Sequence, residues 1–315
     1  MQIVRGLHNL RPSLRGCVAT IGNFDGVHLG HQSILARLAA RGVEHGLPTC
    51  VLTFEPNPRE YFDPANAPAR LMRLRDKAAA LAALGIDRFV VLRFDEQLRQ
   101  WDGREFIARV LDEAMGVRHL VIGQGFRFGR GRSGDVPLLV SEGEARGFGV
   151  DAVGAFLRDG ERVSSTAIRA ALGSGDLALA RQLLGRDYRM SGKVILGARL
   201  GRTLGYPTAN MRLHRRVTPL SGVFAVRVAG VDGGLRDGVA SLGTRPTVGG
   251  TGLLLETHVF DYDGDLYGRY LAVDFVERLR GEEKFSSVDV MVEQMHRDAR
   301  RAREILAAPR ATASH

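Results

Sequence analysis

Gly22-Asn23-Phe24-Asp25-Gly26-Val27-His28-Leu29-Gly30-His31 decides how the rest of the chain is read, because it sets two histidines and three glycines between an apolar run and a helical pattern. Upstream, Cys17-Val18-Ala19-Thr20-Ile21 has the character of a short buried strand. Downstream, residues 32–40 bring Ile34, Leu35, Leu38 and Ala39 onto one helical face. The stretch is therefore a strand-to-helix turn. Glycine at 22, 26 and 30 lets the backbone come close to a ligand, and the amides at a helix start favour phosphate oxygens. His28 and His31, three residues apart, can face one point there and donate hydrogen bonds to charge developing on a phosphate. Taken alone, the pattern HxGH fits a glycine-rich turn with two surface histidines equally well.

Outward from the turn, apolar runs at 49–54, 89–93, 119–122 and 151–153 alternate with helical patterns at 71–84, 105–115 and 136–147. That alternation predicts an α/β, Rossmann-like domain whose parallel sheet is covered on both faces. In open sheets of this kind ligands bind beyond the carboxyl ends of the strands, so the turn should converge with the loops after Phe54 and after Ile122. The first loop, Glu55-Pro56-Asn57-Pro58, is stiffened by two prolines, and Phe54, Tyr61 and Phe62 can stack on a planar ring or fill the core. The second, Gly123 to Asp135, lacks the spacing of a dinucleotide fingerprint; its Arg127, Arg130 and Arg132 suit either phosphates or a solvated basic loop. Ser164, Ser165 and Thr166 stand just before a helical stretch, as caps or as phosphate donors, with Arg169 one turn in.

The chain has 315 residues, more than one core usually supports, so two domains are expected. Near Arg186 the pattern changes. Short strand-like runs at 192–196, 223–228, 239–242, 253–260 and 270–276, separated by turns, predict an antiparallel barrel over residues 186–315, following a first domain of residues 1–185. Ser286 or Ser287 caps a last helix whose Val288, Met291, Val292 and Met295 form an apolar stripe, read as core; from Ala308 the tail is small and polar, and disorder is expected. The formal charge of +9 suits nucleotides but equally an RNA binder. Cys17 and Cys50 sit in apolar runs and read as buried free thiols, which fits a reducing cytoplasm. No apolar run is long enough for a signal peptide or a membrane span.

The second half has its own chemistry-bearing stretch, Gly197-Ala198-Arg199-Leu200-Gly201-Arg202-Thr203-Leu204-Gly205-Tyr206-Pro207-Thr208-Ala209-Asn210. It lacks the GKS or GKT ending of a Walker loop. Its glycines still allow close approach to a polyphosphate, and Thr208 and Asn210, two apart on an extended segment, can aim oxygens at one Mg²⁺. A glycine-rich hairpin with a polar edge is an equal alternative. In Leu255-Glu256-Thr257-His258-Val259-Phe260 the alternation puts Glu256 and His258 on one strand face. Ser241 to Thr247 is taken as a supporting loop only on the family resemblance given next.

The string FDGVHxGH resembles the nucleotidyltransferase signature in the form found in bacterial bifunctional riboflavin kinase/FAD synthetases, and GYPTAN resembles the kinase half of the same family. The resemblance runs through nearly the whole chain in order. It implies riboflavin phosphorylation to FMN and FMN adenylylation to FAD, with ATP as co-substrate, Mg²⁺ as cofactor, and riboflavin, FMN, FAD and ATP as the only partners. Neither nucleic acid nor membrane is involved, and the chain is expected to be a monomer or weak homo-oligomer in the cytoplasm. It implies nucleotide contacts from Gly22, Asn23, Phe24, Asp25 and Gly26, with His28 and His31 catalytic. Ser164, Ser165, Thr166 and Arg169 meet the β and γ phosphates, as in the family's ISSTxIR segment. Flavin contacts fall to Phe54, Pro56, Pro58 and Phe62, and to Gly125, Phe126 and Phe128. In the kinase half it implies nucleotide contacts from Gly197, Gly201, Arg202, Gly205, Thr208 and Asn210, metal contacts from Thr208 and Asn210, and Glu256 as general base. Gly125 departs from the acidic or amide residue the family places there. A chain that keeps only the kinase activity, or acts on another small substrate, therefore stays open, as does an RNA-binding module on charge alone.

Overall fold

The computed structural model describes residues 1–197, 205–213, 215, 217–247 and 250–308. They divide into two compact units, Met1–Pro68 with Arg73–Val163, and Ala69–Met72 with Ser164 onward.

The first unit is built on six parallel strands, β1 (Gln2–Arg5), β2 (Cys17–Ile21), β3 (Thr49–Glu55), β4 (Arg88–Arg93), β5 (Val117–Gly123) and β6 (Gly149–Val153), in the order β1-β4-β3-β2-β5-β6. Between them run α1 (Leu29–His45), α2 (Pro58–Phe62), α3 (Leu74–Ala83), α4 (Glu96–Gln100), α5 (Gly103–Phe106), which continues as a π-helix over Ile107–Ala114, and α6 (Val136–Arg146). All five residues of β2 are buried, as a strand covered on both faces requires. The expected Rossmann-like sheet is therefore present. From β2 the chain moves one way to β3 and β4 and then returns to β5 and β6 on the other side, so the switch point lies between β2 and β5. There the turn 22–31 and the loops after β3 and β5 leave the sheet.

Several boundaries differ from the sequence reading. Strand β1 was not expected, since only Val4 of its four residues is buried and a single apolar position leaves no period. Helix α1 starts at Leu29, three residues before the apolar period becomes visible, because His28 caps it; it stops at Gly46, whose φ of 62° a glycine adopts without strain. The helix expected over 71–84 starts only at Leu74. Ala69–Met72 belong to the second unit, where the Leu71 carbonyl accepts from Tyr188 Oη at 3.1 Å and the Arg70 carbonyl from Arg215 Nη1 at 2.7 Å.

A two-residue hairpin, β7 (Leu157–Arg158) and β8 (Glu161–Arg162), ends the first unit. The second opens with α7 (Ser165–Ser174) and α8 (Leu177–Leu184). Six antiparallel strands follow, β9 (Tyr188–Ile195), β10 (Ala209–Arg212), β11 (Gly222–Ala229), β12 (Leu235–Thr247), β13 (Gly250–Val259) and β14 (Tyr270–Arg280), closed as β10-β13-β12-β11-β14-β9. Closure leaves no free sheet edge. The barrel is as expected, but the supporting loop over 241–247 is part of β12: it pairs with β13 as far as Thr247 opposite Gly250, and its glycine and proline hid the strand pattern.

The last helix, α9 (Val288–Ala307), is capped by Ser287, whose Oγ accepts from the Val290 amide at 3.2 Å. Its expected core stripe holds in part: Met295 packs against the core, and Met291 and Val292 are half-buried. Val288 is 57% exposed, whereas Ala299, Ala302 and Leu306 are buried with Tyr206 and Phe260. The first turns carry the larger apolar residues, but small alanines let the later turns approach the barrel. Residues 309–315 of the tail, and Gly201 and Arg202 of the glycine stretch, lie outside the described residues. Cys17 and Cys50 are buried free thiols, as expected.

Candidate active site

The turn after β2 is held in unusual backbone. Phe24 has φ 45° and Val27 φ 42°, and both side chains are buried. A β-branched residue in the left-handed region is strained, and such strain persists where the surroundings over-determine it. Of the three glycines, Gly26 alone has positive φ, 93°. The other two serve close approach: a Cβ on Gly22 would stand 3.2 Å from the Phe24 ring, and one on Gly30 would stand 3.2 Å from the His28 ring and 3.4 Å from the Val163 carbonyl.

His28 is the N-cap of α1. Its Nδ1 accepts from the His31 amide at 3.3 Å, so the ring proton sits on Nε2. This removes the His31 amide from the anion donors that the sequence suggested at the helix start. The two imidazoles stack, with centroids 3.6 Å apart and planes at 19°. The His31 ring is half-buried, and desolvation, followed by the charges of His28 and Lys77, holds its pKa well below the ordinary imidazole range. It is a neutral ring at pH 7, placed to hold His28. Asp25 is buried in the same turn.

Lys77, 8% exposed, was not anticipated. The signal was present, since Leu74, Lys77, Ala78 and Leu81 share one helical face, and a lysine in a buried stripe is conspicuous.

Beside the turn lies a cavity of about 800 Å³. Phe54, Pro58, Phe62, Gly125, Phe126 and Phe128 line it as expected, together with Gly22 and Asn23, whereas Pro56 is not among the lining residues. The sequence reading missed Phe94 and Trp101, which complete the aromatic walls. Phe126 and Phe128 stack at 5.4 Å and 16°. The rim carries Arg59, Arg99, Arg127, Arg130 and Arg132, of which Arg99 is paired with Glu96 and Arg127 with Asp135. Nothing lies within 4 Å of a Cβ built on Gly125. An aromatic slot with a cationic rim suits a planar heterocycle that bears a phosphate.

Ser164 caps α7 by accepting from the Ala167 amide at 3.2 Å, and Arg169 Nε donates to the Ala69 carbonyl at 2.6 Å. Both groups therefore have structural partners within the second unit.

In the barrel, β13 alternates strictly. Leu255 and Thr257 are buried while Glu256 and His258 face outward, half-buried. Register sets Asn210 of β10 directly opposite Glu256 on one side and Ser241 of β12 opposite it on the other. Cross-strand neighbours of this kind have Cβ atoms about 5 Å apart. Asn210 Nδ2 donates to the Thr208 carbonyl at 3.2 Å, which leaves Oδ1 as its outward acceptor. A Cβ on Gly197 would stand 2.5 Å from that amide, so only glycine leaves Asn210 its place. A hydroxyl, an amide oxygen and a nearby carboxylate are hard oxygen donors, and so few of them fit a Mg²⁺ that keeps waters and binds substrate phosphates. Among the described residues no cluster of three His, Cys, Asp or Glu could hold a metal.

Next to this group, Tyr206, His258 and Phe260 of the barrel and His296, Arg300 and Arg303 of α9 line a cavity of about 720 Å³. Its helical side was not anticipated; a histidine among the alanines of the inner face of α9 was the available sign.

The FAD synthetase family matches residues 10–167 and the riboflavin kinase family residues 184–306. Over 312 residues the chain is 51% identical to the bifunctional riboflavin kinase/FMN adenylyltransferase of Pseudomonas fluorescens, covering 99% of each. It is 45% identical to that of Escherichia coli K12 over 305 residues, covering 96% of this chain and 97% of the relative. A crystal structure described as a macrolide-efflux protein from Streptococcus pneumoniae matches with a TM-score of 0.82 at 28% identity, over 96% of this chain and 99% of that one. In the present chain no helix among the described residues is long and apolar enough to cross a membrane. Two family matches in succession and relatives of this identity over the full length lead to one conclusion: the chain belongs to the bifunctional riboflavin kinase/FMN adenylyltransferase family.

Proposed function

We propose that the two activities in the family's name use separate sites in this chain, with residues 1–185 adenylylating FMN and residues 186–315 phosphorylating riboflavin. The enzyme converts riboflavin and ATP to FMN and ADP, then FMN and a second ATP to FAD and pyrophosphate. The observation that carries this reading is the partition of the chemistry. The strained His28–His31 turn and its aromatic cavity belong to one compact unit, and Glu256 with Thr208 and Asn210 to the other.

In the kinase half, Glu256 accepts the proton of the ribityl 5′ hydroxyl as that oxygen attacks the γ phosphorus and ADP leaves. Thr208 and Asn210 would hold Mg²⁺, which when bound would supply charge neutralisation of phosphate oxygens, and Gly197, Gly201, Arg202 and Gly205 are assigned to the triphosphate. In the adenylyltransferase half, the aromatic cavity takes the isoalloxazine, with Phe54, Pro58 and Phe62 on one side and Phe126 and Phe128 on the other. A phosphate oxygen of FMN attacks the α phosphorus of ATP, and the P–O bond to pyrophosphate breaks. His28 donates from Nε2 to the charge that builds on those oxygens, and His31 keeps His28 in place. Gly22, Asn23, Phe24, Asp25 and Gly26 shape the nucleotide side of the turn. Ser164, Ser165, Thr166 and Arg169 are assigned to the departing pyrophosphate on the family resemblance. Neither step needs a covalent enzyme intermediate.

The two buried thiols support a reducing cytoplasm, and a monomer or weak homo-oligomer without nucleic-acid or membrane partners completes the reading. Incubation with riboflavin, ATP and Mg²⁺, resolving FMN and FAD by chromatography, tests it. FMN accumulating before FAD is expected, and no flavin product at all overturns it.

A further inference from the structure

Thr208 and Asn210 are preceded by Gly205, Tyr206 and Pro207, a segment with little backbone support. Among the described residues, none from Gly205 to Thr208 makes a backbone–backbone hydrogen bond, and Pro207 has no N–H to offer. Its support comes from side chains. His258 Nδ1 lies 2.9 Å from the Pro207 carbonyl and, since a carbonyl only accepts, that nitrogen carries the proton. Tyr206 is buried, its Oη 2.5 Å from His296 Nδ1 on α9. The Tyr206 ring meets both imidazoles edge to face, 5.0 Å from His258 and 5.3 Å from His296.

Strand β13 therefore does two things two residues apart: it presents Glu256 opposite Asn210, and through His258 it grips the carbonyl just before Thr208. Helix α9 grips the same dipeptide from its own side through His296. We propose that His258 and His296 are positioning residues of the kinase half, clamping Tyr206-Pro207 so that Thr208 and Asn210 stand at the correct height against Glu256. The proposal rests on the assignment of Thr208, Asn210 and Glu256 given above. It accounts for a tyrosine and a proline at the entrance to a phosphate site: the phenol supplies the handle, and Pro207, with no N–H, offers its carbonyl to His258.

The test uses the full-length enzyme and two readouts. His258→Phe keeps a ring of similar breadth and removes the donor, His258→Asn returns an N–H near the same place, and Tyr206→Phe removes only the contact to His296. Hydrogen exchange of residues 205–212 should quicken in His258→Phe and Tyr206→Phe and return toward the parent rate in His258→Asn. For the kinase reaction, His258→Phe should raise the KM for Mg·ATP about tenfold, the scale of one lost hydrogen bond, with kcat within about twofold. His258→Asn should recover most of that loss, and FAD formation from supplied FMN should not change. Unchanged exchange in His258→Phe, or a fall in kcat with KM unmoved, overturns the clamp. Asn210→Ala tests the underlying assignment separately: if it leaves the KM for Mg·ATP alone, the metal reading fails, whereas the exchange of 205–212 still decides the clamp.

Discussion

On the proposed assignment, the two units reach phosphate chemistry by different structural means. In the sheet unit the reactive groups sit on one continuous turn, and their geometry is held by local backbone: left-handed Phe24 and Val27, and a histidine that caps its own helix. In the barrel unit the corresponding groups are far apart in sequence, and the register of β10, β13 and β12 brings Asn210, Glu256 and Ser241 side by side. A local site is damaged by changes within ten residues of the chemistry, whereas a register site depends on strands whose own sequence looks ordinary. The largest test of that contrast is Glu256→Ala. Removal of a general base costs on the order of 10²–10⁴ in rate, so FMN formation should nearly vanish while FAD synthesis from supplied FMN continues. Loss of both rates in the chromatographic assay would contradict separate sites.

The counterpart is His28→Ala, which should lower adenylylation by on the order of 10²–10³ and spare the kinase. It differs from the first in also unfolding something: loss of the N-cap should cost the sheet unit about 1 kcal/mol, read as a lower melting temperature. His28→Asn separates the two effects, since asparagine restores the cap but not the imidazole donor. Stability should return and adenylylation should not. No such double effect is expected of Glu256, which lies within a strand rather than at a helix start.

A smaller effect is expected at Gly197, where the site depends on space. An alanine Cβ would meet the Asn210 amide at 2.5 Å, well inside contact distance, and Asn210 must turn away. Gly197→Ala should therefore raise the KM for Mg·ATP in riboflavin phosphorylation by about tenfold, the scale of one displaced hydrogen-bonding group, with adenylylation unchanged. If both KM values for ATP rose, the displacement would not be confined to the barrel.

The same contrast governs what could be read from the sequence. The strand-to-helix turn was legible because its glycines, its histidines and the apolar runs on either side are adjacent, and the Rossmann-like alternation around it follows the period of each element. The residues Phe54, Pro58, Phe62, Phe126 and Phe128 were legible from aromatic loops that a sheet of this order must bring together. Trp101 was not, because it arrives from the end of α4 and nothing local marks it. In the barrel, Glu256 was visible in an alternating strand, but its neighbours were not: which residue faces which depends on register, and a one-residue slip would exchange Thr257 for Glu256 on the outer face. Tyr206 and His296, 90 residues apart, could be joined only by the fold. The core face of α9 was legible only in part: Met295 of the expected stripe packs against the core, but Val288 is exposed and the alanines at 299 and 302 gave no sign of the burial that continues along the helix. The exchange of Ala69–Met72 into the second unit left no sequence sign at all.

His31 offers a graded test on the sheet unit. Burial and the neighbouring charges keep its folded pKa well below the ordinary value near 6.5. The folded unit therefore binds fewer protons than the unfolded chain in that range. Its contribution to stability is present above about pH 6.5 and is lost as pH falls toward the folded pKa, by up to about 1.4 kcal/mol per pH unit. Melting temperatures measured between pH 7.5 and 5.5 should fall less steeply for His31→Gln than for the parent, and equal slopes would assign the acid sensitivity elsewhere.

The smallest expected effect is at Gly125, where the family resemblance leads to the expectation of an acidic or amide residue. The structure gives no steric reason for the glycine: its φ is not positive, and a Cβ there meets nothing within 4 Å. Gly125→Asn should then alter stability by less than about 0.5 kcal/mol, as an exposed substitution without a special backbone demand does. An amide at this point adds a donor and an acceptor beside the aromatic walls of the cavity, so FMN should be held better, by a factor of about five for one net hydrogen bond, in the KM for adenylylation. Riboflavin phosphorylation should not respond. If the KM for FMN instead rises, the open space at Gly125 is occupied by the flavin itself, and the glycine is part of the slot rather than a gap in it.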